Sequence, residues 1–204
     1  MSEHYFTAQP ASDGERRPLR THLAGRAVEV EVAGGIFSPG GLDKGTAVLF
    51  DHVPPPPAAP DQKGVYLDLG CGWGPIALTL GLLAPEAQVW AVDVNERALD
   101  LTRRNAEALG CDNVRTALPS EVPEDTRFDL IWSNPPIRVG KAVVHDIMST
   151  WLPRLTPGGE AWMVVGKNLG ADSLQRWIGE SLPELSAERM ASAKGFRILR
   201  VTRD

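Results

Sequence analysis

Tyr66-Leu67-Asp68-Leu69-Gly70-Cys71-Gly72-Trp73-Gly74-Pro75-Ile76-Ala77 runs from an apolar strand pattern through a glycine-rich turn into an apolar helix pattern. Gly70, Gly72 and Gly74 lack a Cβ, so the chain can turn sharply there and approach a ligand closely. Pro75 gives up no needed N–H at a helix start, and its fixed φ suits the first turn. The helix N-terminus behind it exposes unpaired N–H groups and partial positive charge. A dinucleotide cradle holds a pyrophosphate through the spacing G-x-G-x-x-G. Here the spacing is G-x-G-x-G-P, and Asp68 stands two residues before the first glycine. Negative charge at the mouth of the turn favours a cationic ligand end, such as an α-amino group, over a phosphate.

Val89-Trp90-Ala91-Val92-Asp93 reads as the next strand, and Asp93 stands at its tip. That is about 20 residues past the turn, where doubly wound folds place the carboxylate that binds ribose hydroxyls. Asn95 follows, first as an N-cap and second as a candidate ligand, for a helix with Ala98, Leu99, Thr102, Ala106 and Leu109 on one face. Gly110 closes that helix, and Val114–Ala117 is a third strand. Phe128-Asp129-Leu130-Ile131-Trp132-Ser133 is a further buried-strand pattern, delivering Asn134-Pro135-Pro136-Ile137 at its carboxyl end. Ligands of open α/β sheets bind at that edge. Two prolines remove two backbone donors and stiffen the chain. The carbonyls of Asn134 and Pro135, with the Asn134 side-chain oxygen, then form a group of acceptors suited to gripping an –NH₂. Such a grip favours a pyramidal nitrogen whose lone pair is exposed to an electrophile.

These motifs resemble a class I S-adenosylmethionine-dependent methyltransferase of the amino-methylating kind. More narrowly, His4-Tyr5-Phe6, Gly35-Ile-Phe-Ser38, Leu42-Asp-Lys-Gly-Thr46 and Asn134-Pro-Pro-Ile-Arg-Val-Gly-Lys141 resemble the small-subunit ribosomal RNA guanine-N2 methyltransferase family. The resemblance implies that Asp68, Gly70, Cys71, Gly72 and Gly74 line the methionine end of S-adenosyl-L-methionine and that Asp93 binds its ribose. It implies that Lys44, Gly45 and Thr46 wall the cofactor's carboxylate. Asn134, with Pro135, Pro136 and Ile137, would orient the target amine. No metal or general base is needed, because the sulfonium is already activated and the protein supplies alignment and fixed dipoles. Two departures stand out. The acid that often contacts adenine after the third strand is missing, leaving Ser120 or Glu121, and the degenerate second copy of the domain seen in the best-known members is not present. Where many amino-methylating enzymes place an aromatic to stack on a flipped base, this sequence has Ile137. Phe37 or Trp73 is the candidate for the missing ring, and Arg138 and Lys141 for a phosphate contact.

The expected fold is α/β: a Rossmann-like doubly wound sheet of seven strands, the last antiparallel, with a small N-terminal hairpin and helix. Residues 1–53 read as the extension, 54–64 as a Pro-rich connector and 65–204 as the cofactor-binding domain. In the extension, Val28, Val30 and Val32 alternate with Glu29 and Glu31, pairing with Leu19–Leu23, and Gly45–Val53 is a short helix. Pro54–Pro57 and Pro60 force an extended segment. Farther on, 139–155 reads as a helix with Val143, Ile147 and Trp151 in register, broken by Thr156-Pro-Gly-Gly159 before a strand at Ala161–Val165. A helix over 173–181 and strands at 187–191 and 196–201, joined at Gly195, close the chain.

With 204 residues, two cysteines and no long apolar run, the sequence suits one reduced cytoplasmic domain without a membrane span, signal peptide or metal cluster. A formal net charge of −5 runs against phosphate-driven affinity. A ribosomal RNA or subunit partner therefore depends on local groups: Arg16, Arg17 and Arg20; Arg103 and Arg104; Arg197, Arg200 and Arg203. Three competitors share some features: a nicotinamide oxidoreductase, a methyltransferase on adenine N6 or a protein glutamine amide, and a non-catalytic RNA-binding or assembly module. The first predicts G-x-G-x-x-G and gives Asn-Pro-Pro no task. The last sits poorly with intact Asp68, Asp93 and Asn134.

Overall fold

A computed structural model of the chain describes residues 15–57 and 63–204. His4, Tyr5, Phe6 and Pro60 lie outside them. The elements in chain order are β1 (Arg16–Leu23), β2 (Arg26–Ala33), α1 (Lys44–His52), β3 (Val65–Leu69), α2 (Pro75–Leu83), β4 (Gln88–Val92) and α3 (Glu96–Leu109), followed by β5 (Val114–Ala117), β6 (Phe128–Ser133), α4 (Lys141–Trp151), β7 (Leu155–Gly166), α5 (Ala171–Ser181), β8 (Leu185–Ala193) and β9 (Phe196–Arg203). Seven strands form one sheet in the order β5-β4-β3-β6-β7-β9-β8, and β1 and β2 form a separate hairpin. The last strand runs antiparallel to both of its neighbours, as expected of the doubly wound methyltransferase architecture. The chain divides into two compact units, one reaching Asp43 and resuming over Pro55–Glu124, the other combining Lys44–Pro54 with Asp125–Asp204.

In the first unit β3, β4 and β5 pair in parallel, Leu69 opposite Val92 and Val92 opposite Ala117. Residues 66–69 of β3 are buried, so the strand reads as a continuous apolar run broken only by Asp68. Helix α2 is apolar nearly all round because it too is enclosed: Ile76 through Gly81 are buried. Helix α3 starts where Asn95 accepts the Arg97 N–H at 3.0 Å and ends at Gly110, φ 68°. The hairpin turns at Ala24 and Gly25, φ 51° and 73°, the left-handed pair that matches strand twist. It is fixed by Asn105 of α3, whose Oδ1 accepts the Glu31 N–H at 2.7 Å. The Asn105 amide also donates to the carbonyls of Glu31 and Trp73, both at 3.0 Å. One buried side chain thus holds the hairpin and the glycine turn to the same helix. The proline segment is extended, and Tyr66 donates its hydroxyl proton to the Pro57 carbonyl at 2.6 Å.

In the second unit β6 pairs in parallel with β7, and β9 pairs antiparallel with β7 and β8. Helix α1 packs on β7 and β9. Two expectations need correction here. The helix expected over 139–155 is shorter: α4 spans Lys141–Trp151 between 3₁₀ turns at Ile137–Val139 and Leu152–Arg154. Its buried row is Val144, Met148 and Trp151, and Val143 is exposed. A row spaced by four throughout drifts around a helix of 3.6 residues per turn; the observed spacing of four then three stays on one face. Thr156-Pro-Gly-Gly159 does not precede the strand but lies within β7 as an irregularity of register against β6.

Replacing Asn105 with Ala removes three hydrogen bonds and strands their buried partners. Urea denaturation is expected to show a loss of about 3 kcal/mol, against the fraction of a kcal/mol typical of an exposed helix position.

Candidate active site

In the first unit, backbone donors of the glycine turn are spent within the protein. The Gly70 and Cys71 N–H groups both donate to the Val92 carbonyl, at 2.8 and 3.1 Å, and Gly74 donates to Cys71 at 2.9 Å. Gly72 N–H reaches Asp93 Oδ2 at 3.0 Å, and Ala77 N–H in the first turn of α2 reaches Asp68 Oδ2 at 2.9 Å. A phosphate cradle needs those donors turned outward. Here they are turned onto carboxylates and carbonyls, so the turn is not built for a pyrophosphate.

The first of the two acids is enclosed and the second is half-buried. Asp68 is fully buried, and its Oδ1 has no hydrogen-bond partner. Burial pushes its carboxyl up to about 8, against the pull of the Ala77 N–H, and the nearby Asp93 charge adds to the rise. Asp93 is also raised by burial, opposed by the N–H groups of Gly72, Asn95 and Val94. Burial and the two acids together raise the Cys71 thiol well above its usual range, so it stays neutral and inert. Gly70, Gly72 and Gly74 hold φ of 83°, 58° and 95°, the left-handed region. A Cβ at Gly70 would meet nothing within 4 Å, while one at Gly74 would come within 2.9 Å of the Thr102 side chain. Gly70 therefore leaves open space, and Gly74 lets α3 come close. The carbonyl of Phe37 would lie 3.8 Å from a Cβ at Gly72. The loop bearing Phe37 is tied down by Arg97 to the Gly34 carbonyl at 2.8 Å and by Asn95 to the Gly35 carbonyl at 2.9 Å.

In the second unit, Asn134 leaves the end of β6 half-buried, and its Nδ2 donates to Thr46 Oγ1 of α1 at 3.1 Å. The Ile137 N–H donates to the Pro135 carbonyl at 2.8 Å across Pro136, whose φ of −75° and ψ of 64° form an inverse γ-turn. One lone pair of the Pro135 carbonyl, expected from sequence to face a ligand, is thus used locally; a carbonyl has a second. Arg138 and Lys141 follow, both exposed.

Several expected residues take roles the sequence left open. Asn95 is a cap and a loop tether. Trp73 is only 1% exposed, which removes it as a stacking ring, whereas Phe37 is 37% exposed. Ser120 is exposed after β5, and the neighbouring Glu121 accepts from the Leu118 N–H at 2.7 Å. Lys44 is exposed at the start of α1, with Gly45 and Thr46 buried behind it. Thr102 and Asn105 were not foreseen as supports of the turn; polar residues on the buried face of an amphipathic helix are the signal that marks them. Among the described residues no cluster of His, Cys, Asp and Glu could hold a metal ion, and no helix is long and apolar enough to cross a membrane.

The family model of the methyltransferase small domain matches residues 27–200. The chain belongs to the methyltransferase small domain family. It is 34% identical to the protein YbxB of Bacillus subtilis, over 98% of each chain. It is also 34% identical to the ribosomal RNA small subunit methyltransferase C of Pseudomonas entomophila, covering 83% of this chain and 49% of that one. The chain thus spans about half the length of that methyltransferase. Among solved structures, a 16S rRNA N2 methyltransferase of Thermus thermophilus, solved with AdoMet and guanosine, shares the fold at a TM-score of 0.73 and 21% identity. That match covers 96% of this chain and 52% of that one. The membership removes the oxidoreductase reading, in agreement with the inward-turned donors of the glycine turn.

The buried acid of this methyltransferase has a cost that can be measured. Asp68 keeps its proton up to about 8 when folded and releases it near 3.8 when unfolded. Its contribution to stability is therefore fully present below 3.8, declines as pH rises between 3.8 and about 8, and is level above that. Asp68→Asn should abolish the slope. Urea titrations are expected to find the unliganded variant more stable than wild type near pH 8, on the order of a few kcal/mol, with the gap closing toward pH 4.

Proposed function

We propose that the chain is an S-adenosylmethionine-dependent N-methyltransferase that methylates the exocyclic N2 amine of a guanine in ribosomal RNA. The observation that carries this reading is Asn134: an amide at the carboxyl end of a parallel strand, held by Thr46 and followed by two prolines in a tight turn. The family membership and the relatives named as ribosomal RNA methyltransferases support it.

The residues of the first unit fit the cofactor. A fully buried carboxyl with an orphan oxygen suits a cationic amino group, which would satisfy Oδ1 and favour the ionised acid. The open space at Gly70 suits close approach of a ligand, and the paired N–H donors of the turn discourage a phosphate. Asp68, Gly70 and Gly72 would hold the amino-acid end, and Asp93 the ribose. When bound, the cofactor supplies a methyl group activated by its sulfonium. The protein's own task is to hold and orient. Asn134 Oδ1 and the backbone carbonyls of the Asn-Pro-Pro turn accept hydrogen bonds from the amine and so orient its lone pair. Phe37 offers a partly exposed ring for an aromatic ligand. Arg138 and Lys141, which make no ion pair among the described residues, would meet the RNA backbone.

The test is a radiolabelled methyl donor offered to ribosomal subunits, free ribosomal RNA and protein extract, followed by nucleoside analysis. Label is expected in N2-methylguanosine. Label in N6-methyladenosine or in protein would move the substrate elsewhere, and its absence from every fraction would sink the enzymatic reading. Asn134→Ala is expected to lower turnover by about 10²-fold or more while cofactor affinity stays within severalfold. Asp93→Ala should instead weaken cofactor binding by about 1–3 kcal/mol, read by calorimetry.

A further inference from the structure

Resting on the RNA substrate of the proposed function, we infer that the loops after β7 and β8 form a contact surface for the phosphates flanking the target nucleotide, with Lys167 and Lys194 as its cations. Three loops leave the carboxyl edge of the sheet in the second unit: 134–141 after β6, 166–171 after β7 and 192–197 between β8 and β9. They carry Arg138, Lys141, Lys167, Lys194 and Arg197, and no Asp or Glu. At the opposite edge both signs are mixed, Arg127, Arg154 and Arg203 against Asp125, Glu184 and Asp204. A chain with a formal net charge of −5 thus keeps an acid-free edge where the strand delivering Asn134 ends. Clustered charge of that sign draws phosphate whatever the sign of the whole chain.

Strand pairing sets these loops side by side. The Lys167 N–H donates to the Gly195 carbonyl at 2.9 Å, which joins the end of β7 to the β8–β9 turn. Lys194 and Gly195 make that turn, with φ of 50° and 84°, and both are exposed. Ser133 of β6 pairs with Met163, and β7 runs on to Gly166, about 10 Å farther along the sheet. Lys167 and Lys194 therefore stand beyond the end of β6, off the reacting centre, where neighbouring nucleotides of a long substrate would pass. Lys167 is exposed and makes no ion pair among the described residues. The acid nearest to it in sequence, Asp172, is taken by Arg197 at 2.9 Å. Lys194 holds Asp51 at 3.2 Å, both side chains exposed, and such a pair is weak enough to yield to a phosphate. Giving up Asp51 has a cost, which makes Lys167 the stronger contact. Leu169, also exposed, adds an apolar side chain beside the cations. A spread strip of this kind suits a polymer with repeating phosphates; one compact anion needs converging donors. An acidic protein segment would meet the same charges, but it would bring no aromatic amine to Asn134.

The probe is labelled, protein-free small-subunit ribosomal RNA, titrated by filter binding at several salt concentrations. Losing one phosphate contact on a single strand lowers the slope of log affinity against log salt by about 0.7, which is about fivefold in affinity at 0.1 M salt. Lys167→Ala is expected to show that loss, and Lys167→Ala combined with Lys194→Ala a larger one. With RNA as substrate the loss should fall in KM, while kcat and the cofactor Kd stay within about twofold. Lys63→Ala makes the same charge change at an exposed site of the first unit and should leave affinity and slope near wild type. An equal loss in Lys63→Ala would reduce the effect to net charge and overturn the surface, as would wild-type affinity in the double variant. Polyglutamate that competes as well as RNA would assign the surface to an acidic protein and overturn it too. The two readings fail separately. Unchanged binding in the double variant, with label still entering N2-methylguanosine, removes the surface and keeps the proposed function. Weakened binding with no label in any RNA removes the proposed function and keeps the surface.

Discussion

A fully buried carboxyl group, one oxygen bonded to a helix N–H and the other to no protein group, is the constraint around which the first unit is arranged. Asp68 interrupts an otherwise apolar strand, and such a burial is costly unless a charge or donor meets it. The surrounding turn makes no attempt to relieve it. Its N–H groups go to Val92, Cys71 and Asp93. This is the reverse of a phosphate cradle, in which donors face outward and acids are kept away. The same strand–glycine–helix frame, with its donors turned inward, would suit a ligand of opposite charge. A ligand that brings a positive group relieves the acid, and its binding then adds to folding stability by mass action.

The second unit meets a different constraint, a stiff turn at the end of a parallel strand. Consecutive prolines at 135 and 136 fix two φ angles, and the γ-turn across Pro136 closes the segment with one short-range hydrogen bond. Stiffness in the backbone alone would leave the Asn134 amide free to turn over. Helix α1 adds a bond from far away in sequence, from the Asn134 amide to Thr46, and its Phe50 ring packs near Trp132 of the same strand. Backbone rigidity and side-chain orientation are therefore supplied by different elements.

That separation explains which parts could be read from the sequence. Strands β5 and β6 and the caps of α3 at Asn95 and Gly110 follow from local pattern, since apolar runs, capping side chains and left-handed glycines act over a few residues. Helix α4 was misjudged because two apolar rows, one through Val143 and one through Val144, fit a helical repeat almost equally; only the packing partner selects between them. Long-range polar links were not legible at all. Nothing in the neighbourhood of Thr46 announces Asn134, and nothing around Asn105 announces Glu31, because a hydrogen bond between distant residues leaves no periodicity in either segment. The individual site motifs were plain, but the supports that hold them were not.

Charge places a further demand on the proposed RNA substrate. The basic clusters that looked available in the sequence are largely neutralised within the protein. Arg16 pairs with Asp100 at 2.6 Å, Arg104 with Glu31 at 2.7 Å, and Arg103 with Asp100 and Glu107 at 2.7 and 2.8 Å. Arg20 pairs with Glu29, Arg197 with Asp172 and Arg200 with Glu160, while Arg203 donates to the carbonyls of Pro153 and Leu155. Exposed pairs of this kind are individually weak, about 0–1 kcal/mol, yet a phosphate that takes an arginine from its carboxylate also leaves that carboxylate beside the RNA. Arg138 and Lys141 carry no such penalty, and they follow the Asn-Pro-Pro turn directly in sequence. A chain with a net charge of −5 gains little from the RNA backbone as a whole. On the proposed function, selectivity would come from the base edge at Asn134, with phosphates fixing register at one end of that turn.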